Sequence, residues 1–179
     1  MFKFLRAFRR NSNREVTDSL YEAIVASARQ PRFYAEWDVP DTPIGRYEMI
    51  SIHMFLFLER TRGGSAPLLH LAQDITDEFF KDVDHSLREL GIGDTGVPKR
   101  MKKLAKMFYG RADSYGRALA AKDRDALMAA LSRNIMPQRN SPWPQVGHLA
   151  SYIERASESL ASQPEAELLA GRIQFPVAE

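Results

Sequence analysis

The sequence predicts an all-α fold, a single-domain helical bundle of about six to eight helices. Three observations carry this. Apolar residues recur at three-and-four spacing through most of the 179 residues. Prolines stand at the openings of those stretches or between them, where helices tolerate them. No convincing stretch alternates with the period of two that a half-buried strand requires.

Composition narrows the function classes. Hydrophobic residues make up 44% and charged residues 27%, values of an ordinary globular domain large enough for one sizeable core. The chain has no cysteine, which excludes a disulfide framework, thiolate metal sites, thiol catalysis and an iron–sulfur cluster. Net charge is +2, modest for a general nucleic-acid binder. No apolar run reaches the roughly 17–25 residues of a membrane-spanning helix.

Residues 1–14 form a basic amphipathic segment, in which MFKFLRAFRR pairs Phe2, Phe4, Leu5 and Phe8 with Lys3, Arg6, Arg9 and Arg10. It reads as an anchor on an anionic membrane surface or a contact with a membrane-bound partner, or else as a terminus that is frayed or packed on the domain. It lacks the apolar core and cleavage site of a secretory signal. A helical domain is expected over residues 15–172, with a tail over 173–179.

The helical domain divides at its punctuation. Glu15 to Gln30 reads as a helix that Pro31 ends, and Pro31 opens a short helical piece, PRFYAEW. Asp41 and Thr42 are caps for a helix from about Pro43 to Arg62. Between Met49 and Leu58 only Ser51 and His53 are polar. So apolar a helix belongs at the buried centre of a bundle. The alternative is a groove lined by Met49, Met54, Phe55 and Phe57, because flexible methionines and aromatics suit an apolar guest. Gly63 and Gly64 end it. Ala66 to Leu90 follows, with an apolar stripe from Leu68 and Leu69 through Phe79 and Phe80 to Leu90. Helices over Asp123–Asn134, Gln145–Ser162 and Pro164–Gly171 complete the domain, and NIMPQRNSPWP is a loop that Trp143 can pin.

The densest turn chemistry and positive charge lie between His85 and Gly116. Gly91, Gly93 and Gly96 end one helix, and Val97 and Pro98 open the next. From Lys99 to Arg111 there are six basic residues (Lys99, Arg100, Lys102, Lys103, Lys106, Arg111) and no acidic one. Wound as a helix, Met101, Leu104, Phe108, Ala112 and Tyr115 share an apolar face. Lys99, Lys102, Lys103, Lys106 and Arg117 lie opposite, with Gly110 on the basic side. Such a ridge is either a solvated face or a docking face.

Catalytic and metal motifs are lacking. GIGDTG has neither the P-loop spacing nor its terminal Gly-Lys-Ser/Thr, and it does not follow a strand. His70, Asp74 and Glu78 have same-face helical spacing, but no Glu-x-x-His pair recurs on a second helix, so a solvated acidic face is expected rather than a metal site. His53 reads as a hydrogen-bonded core histidine. No cofactor is expected, and the chain is read as not an enzyme.

GIGDTGVPKRMKKLAKMFYGRADSY resembles the signature region of the ubiquinol–cytochrome c chaperone family. The matching residues are Gly91, Gly93, Asp94, Val97, Lys99, Lys103, Phe108, Tyr109, Gly110, Arg111 and Tyr115, with similar upstream stretches from Leu20 onward. The short start before the domain resembles a bacterial member. The resemblance implies a non-enzymatic assembly factor that binds newly made cytochrome b and supports assembly of the cytochrome bc1 complex (complex III). It implies a cytoplasmic protein held peripherally at the inner membrane, on the matrix side in mitochondrial relatives. Implied partners are nascent cytochrome b, a small accessory assembly subunit or the ribosome, and no specific DNA. The expected client-binding residues are Lys99, Lys102, Lys103, Lys106, Tyr109 and Arg111, with Met54 and Phe57 lining the groove. The membrane-surface residues are those of the basic start. Two other classes fit the same features: a basic helical nucleic-acid or ribosome-binding module, and a small lipid- or quinone-binding protein with a pocket near Phe55 and Phe57.

Overall fold

Helix boundaries follow the proline and capping chemistry. The computed structural model describes residues 14–179 in full and residues 2–13 by their backbone only. The side chains of Phe2, Lys3, Phe4, Leu5, Arg6, Phe8, Arg9 and Arg10, the expected membrane surface, therefore lie outside the described residues. The element order is α1 (Phe2–Ala28), α2 (Pro31–Ala35), α3 (Pro43–Thr61), α4 (Ala66–Glu89), α5 (Val97–Ala120), α6 (Arg124–Ile135), α7 (Val146–Ser162) and α8 (Glu165–Leu169). No strand occurs among the described residues. The Thr42 hydroxyl accepts from the Gly45 N–H at 3.1 Å, and the Asp123 carboxylate accepts from the Ala126 N–H at 2.9 Å, satisfying first-turn donors of α3 and α6. Gly45 is required by close packing, since a Cβ there would lie 1.8 Å from the Pro40 carbonyl oxygen.

The most apolar stretch becomes the centre. α3 packs against α1, α4, α5, α6 and α7. Met54 and Phe57 are 0% exposed, and Met49, Ile52, Phe55 and Leu56 are as fully enclosed. The groove expected at Met54 and Phe57 is therefore corrected to core: neighbouring helices enclose this stretch of α3, which leaves no surface for a guest at these residues. The small-molecule pocket expected near Phe55 and Phe57 meets the same solid packing. A second correction concerns the stripe of α4. Leu69 and Leu90 are exposed, because Leu69 sits about 100° around the helix from buried Leu68 and Leu90 is the cap residue past the last turn.

Burying α3 also buries its polar atoms. His53 lies between the Met49 carbonyl, 2.8 Å from Nδ1, and the Tyr152 hydroxyl, 2.7 Å from Nε2. A carbonyl only accepts, so Nδ1 carries the proton and Nε2 accepts from the tyrosine. Burial holds the imidazole down to about 4, so it is neutral at neutral pH. Phe33, Tyr152 and Phe175 surround the ring.

Two irregular segments close over this core. The indole N–H of Trp143 donates to the Trp37 carbonyl at 2.9 Å, pinning the proline-rich loop. In the tail, the Gln30 amide donates to the Pro176 carbonyl at 3.1 Å and accepts from the Ala178 N–H at 2.7 Å. This ties the end of α1 to residues that also place Ile173 and Phe175 on the core.

Tyr152→Phe removes the donor to His53 Nε2 and leaves a buried acceptor unpaired. A loss of about 1–3 kcal/mol is expected, read from urea denaturation at neutral pH. Unchanged stability would show that the hydrogen bond carries no weight in the core.

Candidate surface at the corner between α4 and α5

The glycines of GIGDTG form a corner. Gly91 takes φ +79°, a conformation that costs glycine least. Its N–H donates to the Arg88 carbonyl at 2.9 Å, and the Ile92 N–H donates to the Leu87 carbonyl at 3.2 Å. This paired pattern satisfies the last carbonyls of α4 and reverses the chain. The Gly93 carbonyl then accepts from the Gly96 and Val97 N–H groups at 2.8 and 3.2 Å, which starts α5. The corner fixes the direction in which α5 leaves.

α5 is two-faced as its periodicity requires. Phe108, Tyr115 and Ala118 are buried, and Met101, Leu104 and Ala112 pack beside them. Tyr47 donates its hydroxyl to the Leu104 carbonyl at 2.9 Å, joining α3 to α5. Lys99, Lys102, Lys103 and Lys106 face outward, as does Arg100. These five cations make no ion pair among the described residues. Neighbouring cations do: Lys81 meets Glu78 at 3.1 Å, Arg88 meets Asp84 at 2.7 Å and Arg117 meets Asp113 at 2.6 Å. The ridge is also placed against the helix's own field. The first turn of α5 carries no acidic residue and no side-chain cap, so cations crowd the positive end of the macrodipole. With the glycine corner, the ridge walls a shallow concavity of about 790 Å³.

The other expected site residues divide. Tyr109 is 54% exposed, with its ring centroid 6.2 Å from that of half-buried Phe80. Gly110 is exposed beside it, and a Cβ there would meet nothing within 4 Å. No contact among the described residues calls for glycine at this position, where it weakens a helix by about 0.5–1 kcal/mol. Arg111 leaves the ridge. Its guanidinium Nη1 lies 2.7 Å from Oε1 of Glu48, a carboxylate on α3 that is only 1% exposed. Neither atom has a partner aligned as a hydrogen bond, so the pair is held by charge alone. Arg111 is thus a buried counter-ion that fastens α5 to α3, not part of the exposed surface. Arg100, which shares the ridge's concavity, is an addition to the expected set; its exposed position in the basic run was its only signal.

No group of three or more histidine and carboxylate side chains among the described residues is arranged to hold a metal ion. No described helix is long and apolar enough to cross a membrane.

Among the described residues the domain is helical without a strand, its core is closed and one helix face is cationic. Residues 35–175 match the ubiquinol-cytochrome C chaperone family, and the chain belongs to that family. Among solved structures it is similar to the crystal structure of the Cbp3 homolog from Brucella abortus. The two are 53% identical, the match covers 98% of this chain and 97% of that one, and the TM-score is 0.91. No curated protein matches the chain.

Glu48 gives the site a pH signature. Desolvation pushes its carboxyl up to about 7, against the pull of Arg111. A folded value above the ordinary one means that the fold holds this proton more tightly than the unfolded chain. The resulting stabilisation is full below about pH 4.5 and is lost as pH rises to about 7. Glu48→Gln should therefore gain in Tm relative to the parent, by several degrees, between about pH 5 and about pH 8. A Tm difference that does not change with pH would contradict this assignment.

Proposed function

We propose that this protein is a non-enzymatic assembly chaperone that binds newly made cytochrome b and supports assembly of the cytochrome bc1 complex. The observation that carries the reading is family membership over residues 35–175, supported by the 53% identity to a Cbp3 homolog across nearly the whole chain. The structure supplies a compatible division of labour. The core is closed, so the client meets a surface. The outward face of α5 offers Lys99, Lys102, Lys103 and Lys106 to acidic loops of the client, and Tyr109 supplies an aromatic contact. The bare backbone at Gly110 admits close approach of another chain. An accessory assembly subunit or the ribosome can share this face.

Complementation tests the function and the ridge together. Deleting the gene should deplete membranes of bc1 complex and of cytochrome b haem, and the wild-type gene should restore both. Lys99→Glu/Lys103→Glu/Lys106→Glu should fold normally by circular dichroism yet fail to restore them. Intact bc1 complex in the deletion strain would remove the proposed function. Full rescue by the triple variant would return the ridge to a solvated face.

The basic start adds a membrane contact to this reading, placing the chaperone peripherally at the inner membrane, where its client inserts. The full chain should sediment with anionic vesicles and be released as salt rises, and replacing Arg6, Arg9 and Arg10 by Glu should abolish sedimentation. Failure of the full chain to sediment at low salt would exclude the anchor.

A further inference from the structure

Beside the ridge lies a second concavity, of about 630 Å³, between the start of α3 and the end of α4. Tyr47, Ile50, Phe79, Val83 and Leu104 give it an apolar floor. Ile44 of α3 and Leu90, the cap residue of α4, stand on its walls, 60% and 59% exposed. Aliphatic side chains held open to water at the mouth of an apolar groove are unfavourable unless something covers them.

The groove and the ridge are continuous. Leu90 lines the groove and Gly91 lines the basic concavity; Leu104 lines the groove and Lys103 lines the basic concavity. A chain that fills the groove can continue past Leu90 onto the adjoining lysines. The groove's own rim carries three carboxylates, Asp41, Asp82 and Glu89, against the guanidinium groups of Arg29 and Arg46, so the cationic charge belongs to the ridge and not to the groove. Asp41 holds Arg46 at 2.7 Å, Asp82 accepts from the Tyr21 hydroxyl at 2.9 Å, and Glu89 lies 3.2 Å from His85. Arg29, also on the rim, makes no ion pair among the described residues. The positive excess lies at the ridge, where Lys99, Arg100, Lys102, Lys103 and Lys106 line the concavity with no carboxylate among them.

From this juxtaposition we infer that the groove and ridge together recognise an apolar client segment followed by an acidic flank, and reject the same segment followed by a basic one. The inference rests on the proposed function and specifies the client's recognition element. Its force comes from an asymmetry of membrane proteins: their cytoplasmic loops near the helix ends carry an excess of lysine and arginine. An uncompensated cationic receptor repels those common ends and retains the acid-flanked minority. Selection against the wrong partners then comes from repulsion as much as from attraction.

Two fluorescent peptides test it, sharing one amphipathic leucine-rich segment and ending in either three glutamates or three lysines. Binding to the full chain is measured by anisotropy at low and at high salt. The Glu-ended peptide should bind about tenfold or more tightly at low salt, with the difference shrinking as salt rises. Lys99→Glu/Lys103→Glu/Lys106→Glu should invert the preference. Ile44→Ser/Leu90→Ser, on exposed side chains, should weaken both peptides without altering the circular dichroism spectrum. Equal affinity for the two ends, or an acid preference that survives the lysine reversal, overturns the inference. It is equally overturned if the Glu-ended peptide fails to bind while RNA, anionic vesicles or a second copy of this chain occupies the ridge. The deletion strain separates the two failures: lost bc1 complex with no end preference sinks this inference alone, whereas intact bc1 complex sinks the function on which it rests.

Discussion

Everything in this fold follows from removing the middle of one helix, Ser51 to Phe57 of α3, from water on all sides. α3 is apolar around nearly its whole circumference, and burying such a helix yields the largest hydrophobic gain available to the chain. It also imposes a debt, because Glu48, Ser51 and His53 go in with it. Each neighbouring helix is placed in part by that debt. α7 must bring Tyr152 to His53, and α5 must bring Arg111 to Glu48. The histidine is fully satisfied and neutral. The carboxylate has an opposite charge nearby but no aligned donor, and burying it is costly even so.

This arrangement separates stability from recognition. Inside, His53 is matched by hydrogen bonds and Glu48 by the charge of Arg111 alone, both within the chain. The surface at the α4–α5 corner is the reverse, with cations crowded together, a glycine exposed in mid-helix and aliphatic residues turned outward. Local choices agree with the fold almost everywhere else, and their joint failure in one place is what the proposed docking role accounts for. The glycine corner links the two regimes. By spending its hydrogen bonds on closing α4, it sets α5 at the angle that buries Phe108 and Tyr115 while pointing the lysines away.

Much of this was legible in the residues. Pro31, Thr42, Pro43, Asp123 and the corner glycines set helix ends because proline and capping chemistry act over a few residues. His53 read as a core histidine because it interrupts an otherwise apolar run. The ridge was legible because lysines three and four apart share a face whatever packs behind them. The failures have a common cause, which is information held by other elements. Methionine and phenylalanine suit a core and a groove equally, and only the helices packed around Met54 and Phe57 decide between them. Arg111 was grouped with the ridge by its place in a basic run, yet five residues of helix beyond Lys106 carry it well round the cylinder, and its partner lies on a helix far upstream. The groove walled by Ile44 and Leu90 has no periodic signature, because it exists only where separate helices meet.

The crowded charge of α5 has a dynamic consequence. Lysines and arginines three and four apart repel by about 0.2–0.5 kcal/mol per pair, and cations in the first turn oppose the helix dipole as well. With no acidic residue or side-chain cap to offset this, the start of α5 is poised to fray by local opening while α3 stays closed. A bound acidic partner would neutralise the repulsion and lock those turns. Were a partner to dock at the ridge as proposed, amide protection along residues 97–106 would gauge its occupancy, and docking would be coupled to the ordering of the helix that bears it.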